Sequence, residues 1–245
     1  MRVVVVVGDR FEAFAKNETV VCIGELENSL ENGGLLEDEV FVLGQGVGAD
    51  RIGHLLQLAT IKGKRGRFFF EEVTKCGPAE VHKLKPENSI LSLPVQLDVN
   101  TYEASVLLDD RSELFSDHVG GQHLPGMILI EVVRQMGLAV IEKFFSKNFP
   151  NGCSFLWSSI QMDFMHATFP VETTIICRIL QRQIVKSRRE SIRFGFEFLQ
   201  QDLVVVSSLI SVELHDRYAA ERQERRLAAA ASTMVASRGQ DKKYG

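Results

Sequence analysis

The chain has 245 residues, of which 45% are hydrophobic and 24% are charged, and its formal net charge is −4. These values are ordinary for a globular protein large enough to bury a core, and the acidic balance argues against a nucleic-acid partner. No apolar run approaches the roughly 18 residues of a membrane span, so no membrane partner is predicted either.

The four cysteines, Cys22, Cys76, Cys153 and Cys177, are far apart in the sequence. They include no CxxC pair, and no histidine lies at the spacing of a zinc site. We therefore predict no metal, reduced thiols and a cytoplasmic location. The valine run at 3–7 is too short for the core of a signal peptide and indicates a buried strand.

Residues 1–78 have the pattern of a small α/β module. Apolar, strand-like runs are separated by glycine, asparagine and charged residues, and they lie at 3–7, 19–24, 39–44 and 67–72. The stretch 49–60 has its apolar residues at helical spacing. Two prolines and mixed charge follow at 74–89, so we predict a domain boundary near residue 78.

The sequence "GQGVGA" at 44–49 lies between a predicted strand and a predicted helix. It fits the pattern G-x-G-x-x-A, which is the outline of a dinucleotide-binding fingerprint. The module is too short for a full two-half Rossmann sheet, and glycine-rich turns between strands and helices are common. We therefore predict a tight turn here, and no cofactor for the chain as a whole.

A different pattern covers residues 79–216. Two strands are predicted at 89–99 and 102–110, then a long helix at 125–145, and the remaining strands at 153–165, 173–185, 190–200 and 203–214. An antiparallel sheet must cover its apolar face, and one long helix is available to do so. We predict an α+β protein whose sheet wraps around this helix, the hotdog fold. Residues 217–245 are predicted to form a C-terminal helix with a frayed end.

The predicted helix at 125–145 is apolar nearly all round, which is typical of a buried helix. Glu131, Arg134 and Gln135 interrupt it at positions i, i+3 and i+4, so they share one face. A buried carboxylate needs a partner. Two interpretations are open: an internal Glu131–Arg134 ion pair, or a polar stripe that lines a site.

The loop ahead of this helix favours the second interpretation. It reads "SDHVGGQHLPG" at 116–126 and contains two histidines and three glycines. A histidine and a glutamate can divide acid and base work at neutral pH, and the N–H groups at a helix start can hold a developing oxyanion. A catalytic site is therefore predicted where the loop meets the helix.

Three stretches resemble, in the same order, the A-factor biosynthesis (AfsA-type) hotdog family. They are "VHK" at 81–83, "GGQHLPGMILIEVVRQMG" at 120–137 and "FLWSSIQMDF" at 155–164. The loop and helix also resemble those of hotdog β-hydroxyacyl-ACP dehydratases. The family resemblance implies an acyltransferase of γ-butyrolactone biosynthesis. Such an enzyme joins a β-ketoacyl group, delivered as an acyl carrier protein or CoA thioester, to a small acceptor such as dihydroxyacetone phosphate.

The resemblance also implies roles for the polar residues. Glu131 would be the catalytic acid or base, with Gln135 and Arg134 orienting it. His118 or His123 would assist proton transfer. These assignments make Glu131, His118, His123 and Gln135 the predicted catalytic residues.

The substrate-binding residues follow from the same resemblance. The N–H group of Gly126 would polarise the thioester carbonyl, Gly121 belongs to the same loop, and Arg134 would support the bound group. Phe115, Trp157, Met162 and Phe164 would line a slot for the acyl chain, with core packing as the alternative for some of them. A dehydratase, a thioesterase and a non-catalytic acyl- or lactone-binding module remain alternatives.

The assembly and the surface give two more predictions. Family members usually contain two hotdog repeats, whereas this chain holds one, and an unpaired sheet edge tends to recruit a second sheet. We therefore predict a homodimer in which His118 lies near Glu131 of the partner subunit. The basic stretch 182–191 is either a solvated turn or a docking place for an acidic carrier protein.

Overall fold

The computed structural model describes residues 1–34, 38–115, 120–149, 151–186 and 189–241. The described chain forms two β-sheets, one of four strands and one of six. The strands of the first sheet all precede residue 70, and those of the second all follow residue 94.

The first sheet is parallel and has two helices. Its strands are β1 (Arg2–Val7), β2 (Val20–Cys22), β3 (Glu39–Leu43) and β4 (Phe68–Phe69), in the order β2-β1-β3-β4, with helices α1 (Ile23–Glu31) and α2 (Ala49–Ile61). The valine run of β1 suits a central parallel strand, which is covered on both faces. The predicted α/β module is therefore present.

Helix α1 was not predicted from the sequence. The stretch 19–24 was predicted as a strand, but β2 ends at Cys22 and α1 begins at the next residue. Only Ile23, Leu26 and Leu30 of α1 are buried. This spacing is helical, but three apolar residues give a weak periodic signal.

The second sheet is antiparallel and wraps around one long helix. Its strands run in the order β5-β6-β8-β9-β10-β7, and the central helix is α3 (Gly126–Phe144). The bounds are β5 (Val95–Gln96), β6 (Thr101–Ser105), β7 (Cys153–Phe164), β8 (Thr174–Lys186), β9 (Arg189–Gln200) and β10 (Leu203–Asp216). Alternate residues of β9 are buried, as expected for a sheet with one solvated face. The predicted α+β hotdog arrangement is confirmed.

The ends of several elements differ from the predictions. The strands predicted at 89–99 and 102–110 are regular only at β5 and β6, and single bridges join Leu91 to Val106 and Lys75 to Ser92. The C-terminal helix α4 (Arg217–Asp241) lies within the stretch 217–245 that was predicted as a helix with a frayed end. No helix within the described ranges is long and apolar enough to cross a membrane.

All four cysteines are free and buried. Burial raises the pKa of Cys22, Cys76 and Cys153 to about 11, and it raises that of Cys177 well above its usual value. The thiols therefore stay protonated and act as small apolar groups in the core.

The two sheets share a core where the loop at 44–49 meets the second part of the chain. Val7 and Phe11 belong to the same buried cluster as the residues of α3 and the large sheet. The side chain of Gln45 donates to the carbonyl of Val106 at 2.8 Å and accepts from the N–H of Leu108 at 2.9 Å. A second buried cluster lies wholly within residues 4–68, so the first part of the chain also has a core of its own. The division into 1–78, 79–216 and 217–245 follows the order of the sheets and stays a prediction.

The same contacts explain the glycine pattern of "GQGVGA". The N–H of Gly46 donates to Leu108, and that of Gln45 donates to Pro170. A Cβ atom at Gly8 would clash with the carbonyl group of Gly46, so the loops that follow β1 and β3 need glycine to approach this closely. The loop holds the two parts of the chain together, and these N–H groups do not form a phosphate cradle.

We expect a chain that starts at residue 79 to lose cooperative folding, because the truncation removes Val7, Phe11 and Gln45 from the shared core. Each large apolar side chain that loses its cover costs about 2 to 3 kcal/mol. Thermal unfolding and the yield of soluble protein test this. The control is a chain that ends at residue 223. Every described side chain that this second truncation removes from α4 is exposed. A truncated chain that unfolds as cooperatively as this control would show that residues 79–216 fold independently.

Candidate functional site

The polar stripe of α3 faces the segment that joins the two sheets, residues 76–90, here named the junction segment. Gln135 is fully buried. Its amide donates to the carbonyl of Asn88 at 2.8 Å and accepts from the N–H of Ile90 at 3.0 Å. Arg134 donates to the carbonyl of Val81 at 3.1 Å. The stripe therefore satisfies backbone groups of a segment that has little regular structure of its own.

Side chains of both α3 and the junction segment bind the carboxylate of Glu131. Its Oε1 accepts from Arg134 at 2.7 Å, from Gln135 at 2.9 Å and from Lys83 at 2.8 Å, and its Oε2 accepts from Arg134 Nε at 2.8 Å. The carboxylate side chain is 15% exposed. The internal ion pair that the sequence allowed is present, and Lys83 joins it as a second cation.

The electrostatics of this cluster keep Glu131 ionised. Burial alone would raise its pKa, but the hydrogen bonds from Arg134, Lys83 and Gln135 outweigh burial and lower the pKa below the usual 4.5. A carboxylate with a lowered pKa is a weaker base and is not protonated at neutral pH. In this state Glu131 is suited to holding the junction segment against α3 through its ion pairs, and it is less suited to donating a proton.

All three residues of "VHK" contact α3. Val81 and Lys83 meet the stripe as described, and His82 Nε2 lies 3.0 Å from an oxygen of Glu142, which is on the same side of the helix. The backbone of His82 has φ +53°, a conformation that side chains rarely adopt. The contacts of Val81 with Arg134 and of Lys83 with Glu131 hold the backbone of His82 in this conformation. The first two stretches of the family resemblance, distant in sequence, are therefore direct neighbours in space.

A cavity of about 450 Å³ opens at the start of α3. His123, Gly126 and Leu129 line it from the helix side, and Phe164 and His166 line it from the end of β7. A Cβ atom at Gly126 would lie 3.1 Å from the ring of Phe164, so the glycine lets this ring pack against the helix start. The cavity combines two imidazoles, an apolar wall and the positive end of a long helix dipole.

The structure divides the predicted site residues between two places. Gly126 and His123 line the cavity, whereas Glu131, Arg134 and Gln135 face the junction segment from another side of α3. The cavity and the stripe are therefore separate within one subunit. A joint role for His123 and Glu131 would require a second subunit or a movement of the loop.

Two other predicted residues, Gly121 and Trp157, lie elsewhere. The N–H of Phe14 donates to the carbonyl of Gly121 at 3.1 Å, which places this glycine against the first part of the chain. Trp157 packs against the core from β7, and its indole N–H is buried without a hydrogen-bond partner among the described residues. His118 and the side chain of Phe115 lie outside the described residues, so their roles stay predictions.

Sequence reasoning missed Lys83 and His166. Lys83 is part of "VHK", so the resemblance marked its position, but nothing in its local pattern shows that it reaches Glu131. His166 follows a predicted strand and belongs to none of the quoted motifs, so no role was predicted for it. It lines the cavity because β7 runs alongside α3 and ends at the helix start.

The basic stretch 182–191 is largely neutralised in the described residues. Arg182 pairs with Glu190 at 2.7 Å, and Arg189 pairs with Glu213 at 3.0 Å. These pairs favour the solvated turn over a docking place for an acidic carrier protein. The side chains of Lys186 and Arg188 are outside the described part of the chain.

A six-stranded antiparallel sheet wrapped around a central helix, with a cavity at the helix start, defines a hotdog protein. The family model of the A-factor biosynthesis hotdog domain (AfsA) matches residues 69–214. The chain therefore belongs to this family. The match includes the junction segment, α3, strands β5 to β9 and all but the last two residues of β10.

Solved structures similar to the chain include the following three proteins. The thioesterase HI1161 of Haemophilus influenzae is 11% identical, with a TM-score of 0.38 over 57% of this chain and 82% of its own. AziG of S. sahachiroi is 14% identical, with a TM-score of 0.39 over 51% and 91%. The conserved protein PA5202 of Pseudomonas aeruginosa is 18% identical, with a TM-score of 0.34 over 49% and 86%. No curated protein matches the sequence significantly. The family assignment rests on the family model alone.

The stripe predicts a pH-dependent contribution to stability. The folded-state pKa of Glu131 is below 4.5, so its contribution is complete above about pH 4.5 and is lost as the pH falls through the folded-state value. Glu131→Gln leaves Lys83 and Arg134 without their carboxylate, and it should lower the free energy of unfolding at neutral pH by about 1 to 3 kcal/mol. Urea unfolding between about pH 6 and pH 3 should show this difference shrinking.

The matched control for this experiment is Glu224→Gln, at an exposed position on α4. It should leave the free energy of unfolding unchanged at every pH. A Glu131→Gln difference that stayed constant down to about pH 3 would contradict the ion-pair account.

Proposed function

We propose that the chain is an acyl-thioester enzyme that transfers a β-ketoacyl group from a carrier thioester to a small phosphorylated alcohol. The observation that carries this proposal is the cavity at the start of α3, in a chain that belongs to the A-factor biosynthesis hotdog family. The cavity offers the three things that the reaction needs: a base for the hydroxyl, donors for the oxyanion, and an apolar wall for the acyl chain.

The proposed step starts with an alcohol oxygen that attacks the thioester carbonyl. His123 or His166 takes the hydroxyl proton, and the N–H groups at the start of α3 stabilise the oxyanion that forms. The intermediate collapses with loss of the carrier thiolate, which takes a proton and leaves as the thiol. Leu129 and Phe164 hold the acyl chain.

The proposed role of Glu131 differs between a single subunit and a homodimer. Within one subunit it braces the junction segment behind the cavity wall. In a homodimer it would act as the predicted acid or base if the partner's loop brought His118 to it. Gln135 and Arg134 would then hold the carboxylate in place for either task, because both donate to it.

The sheet edge supports a homodimer. Strand β7 is the last strand of the six, so one of its edges is unpaired within the subunit. It also exposes large apolar residues: Leu156, Ile160 and Phe164 are 42%, 41% and 53% exposed. A long edge of this kind tends to pair with another strand. We propose that two copies of β7 pair and form one continuous sheet.

Ile160→Lys should weaken this dimer about tenfold or more, because a charge would be placed at the paired edge. Analytical ultracentrifugation over a concentration series measures the effect. Ile184→Lys is the control, since Ile184 is exposed on β8, away from this edge. A wild-type protein that is monomeric at micromolar concentration would overturn the dimer. In a dimer, mixed His118→Ala and Glu131→Gln subunits should recover activity that each variant lacks alone.

A second function is favoured by the state of Glu131. Its carboxylate is fully engaged and has a lowered pKa, and it lies on another face of α3 from the cavity. A non-catalytic acyl- or lactone-binding module would need the cavity, and it would need the ion pairs of Glu131 that hold the junction segment. It would not need a base. Such a module would bind its ligand without turning it over.

A single set of assays separates these functions. The purified chain is incubated with β-ketoacyl and β-hydroxyacyl thioesters, with and without dihydroxyacetone phosphate, and products are followed by mass spectrometry. We expect an ester product only when both the β-ketoacyl thioester and the acceptor are present. His123→Ala and His166→Ala should each lower the rate about 100-fold if that histidine is the base.

Other results identify the alternatives. Release of free acid without the acceptor indicates a thioesterase, and loss of water from the β-hydroxyacyl thioester indicates a dehydratase. Binding of a thioester without any product indicates the non-catalytic module. His54→Ala is the control variant, because His54 lies on α2 and does not line the cavity.

A further inference from the structure

A second cavity, of about 560 Å³, lies between the two sheets, away from α3. It lies beside the end of β3 and along β4, and the segment after β6 closes its other side. Cavities of this size at the contact between two structural units are typical small-molecule sites. The acyl chemistry proposed above makes no use of this cavity.

The wall along β4 is aromatic. Phe68, Phe69 and Phe70 all line the cavity. Phe68 stacks on Phe41 with ring centroids 4.9 Å apart and meets Phe70 edge-on at 5.7 Å. These contacts fix the inner rings, whereas Phe69 is 58% exposed and Val73 is 42% exposed. The wall therefore combines a rigid aromatic base with apolar surface that a ligand would remove from water.

The charges around this cavity have one sign. Glu71 and Glu172 line it, and the lining includes no lysine, arginine or histidine. Among the residues that the structure describes, neither carboxylate has an ion-pair or hydrogen-bond partner. The cavity thus presents two uncompensated negative charges beside a cluster of phenylalanine rings.

This combination selects for a cation. Aromatic ring faces attract ammonium groups, and carboxylates that lack a cationic partner can supply the ion pair. The same charges repel the phosphates of a carrier thioester and the carboxylate of a fatty acid. The cavity at the start of α3 differs, because histidines line it and carboxylates do not.

We propose that the cavity between the sheets binds an organic cation with an apolar body, an amine or a quaternary ammonium. Its charged group lies between Glu71 and Glu172, and its body lies against Phe69 and Phe70. Bound there, the ligand touches both parts of the chain.

The test uses three probes of matched shape on the full chain: 4-phenylbutylammonium, 4-phenylbutanol and 5-phenylpentanoate. Titration calorimetry or ligand-observed NMR gives their affinities. We expect the cation to bind about tenfold more tightly than the alcohol and the anion to bind most weakly. Equal affinities for the three probes, or no binding, would overturn the proposal.

Variants locate the site. The double variant Glu71→Gln, Glu172→Gln should lose the preference for the cation and keep the affinity for the alcohol, whereas Phe69→Ala should weaken both. Glu72→Gln is the matched control, because this neighbouring carboxylate does not line the cavity. A preference for the cation that survives in the double variant, or that Glu72→Gln removes, would contradict the assignment.

Discussion

A carboxylate on a buried helix needs a partner, and in this protein that need organises the region around α3. Glu131 lies on a helix that is otherwise almost wholly apolar, and two cations and an amide satisfy it. Two of these donors, Arg134 and Gln135, also bind the backbone of the junction segment. The polar stripe thereby fixes an irregular stretch of chain against a regular helix. The connection between the two sheets has a defined path because of it.

The fold was largely predictable because its strongest signals are periodic. The apolar length of α3 and the alternation of β9 each indicate one structure, and together they leave a single helix to cover an antiparallel sheet. Helix α1 was missed because only three of its residues face the core. The strands around β5 and β6 were predicted too long because single bridges, rather than regular ladders, pair much of that chain.

The site was predictable only in part, because sequence spacing places residues on one helix but not across the molecule. The shared face of Glu131, Arg134 and Gln135 was correctly predicted from their spacing. The loop histidines were expected beside that face. The described one, His123, lines a cavity on another side of α3. Lys83 and His166 belong to distant segments, and their positions depend on how the junction segment and β7 pack against the helix.

Two glycines determine how α3 sits on the sheet. Gly126 receives the ring of Phe164, and a Cβ atom at Gly137 would lie 3.2 Å from the ring of Phe155. The glycines are eleven residues apart, about three helical turns, so the two notches lie on the same side of the helix. Both rings come from β7, one near each end of the strand. Because two rings of β7 pack against these glycines, α3 cannot slide or rotate along β7 by a fraction of a turn without losing both contacts. These contacts hold the helix start at the mouth of the cavity in place, so a molecule that enters the cavity meets an opening that is already formed.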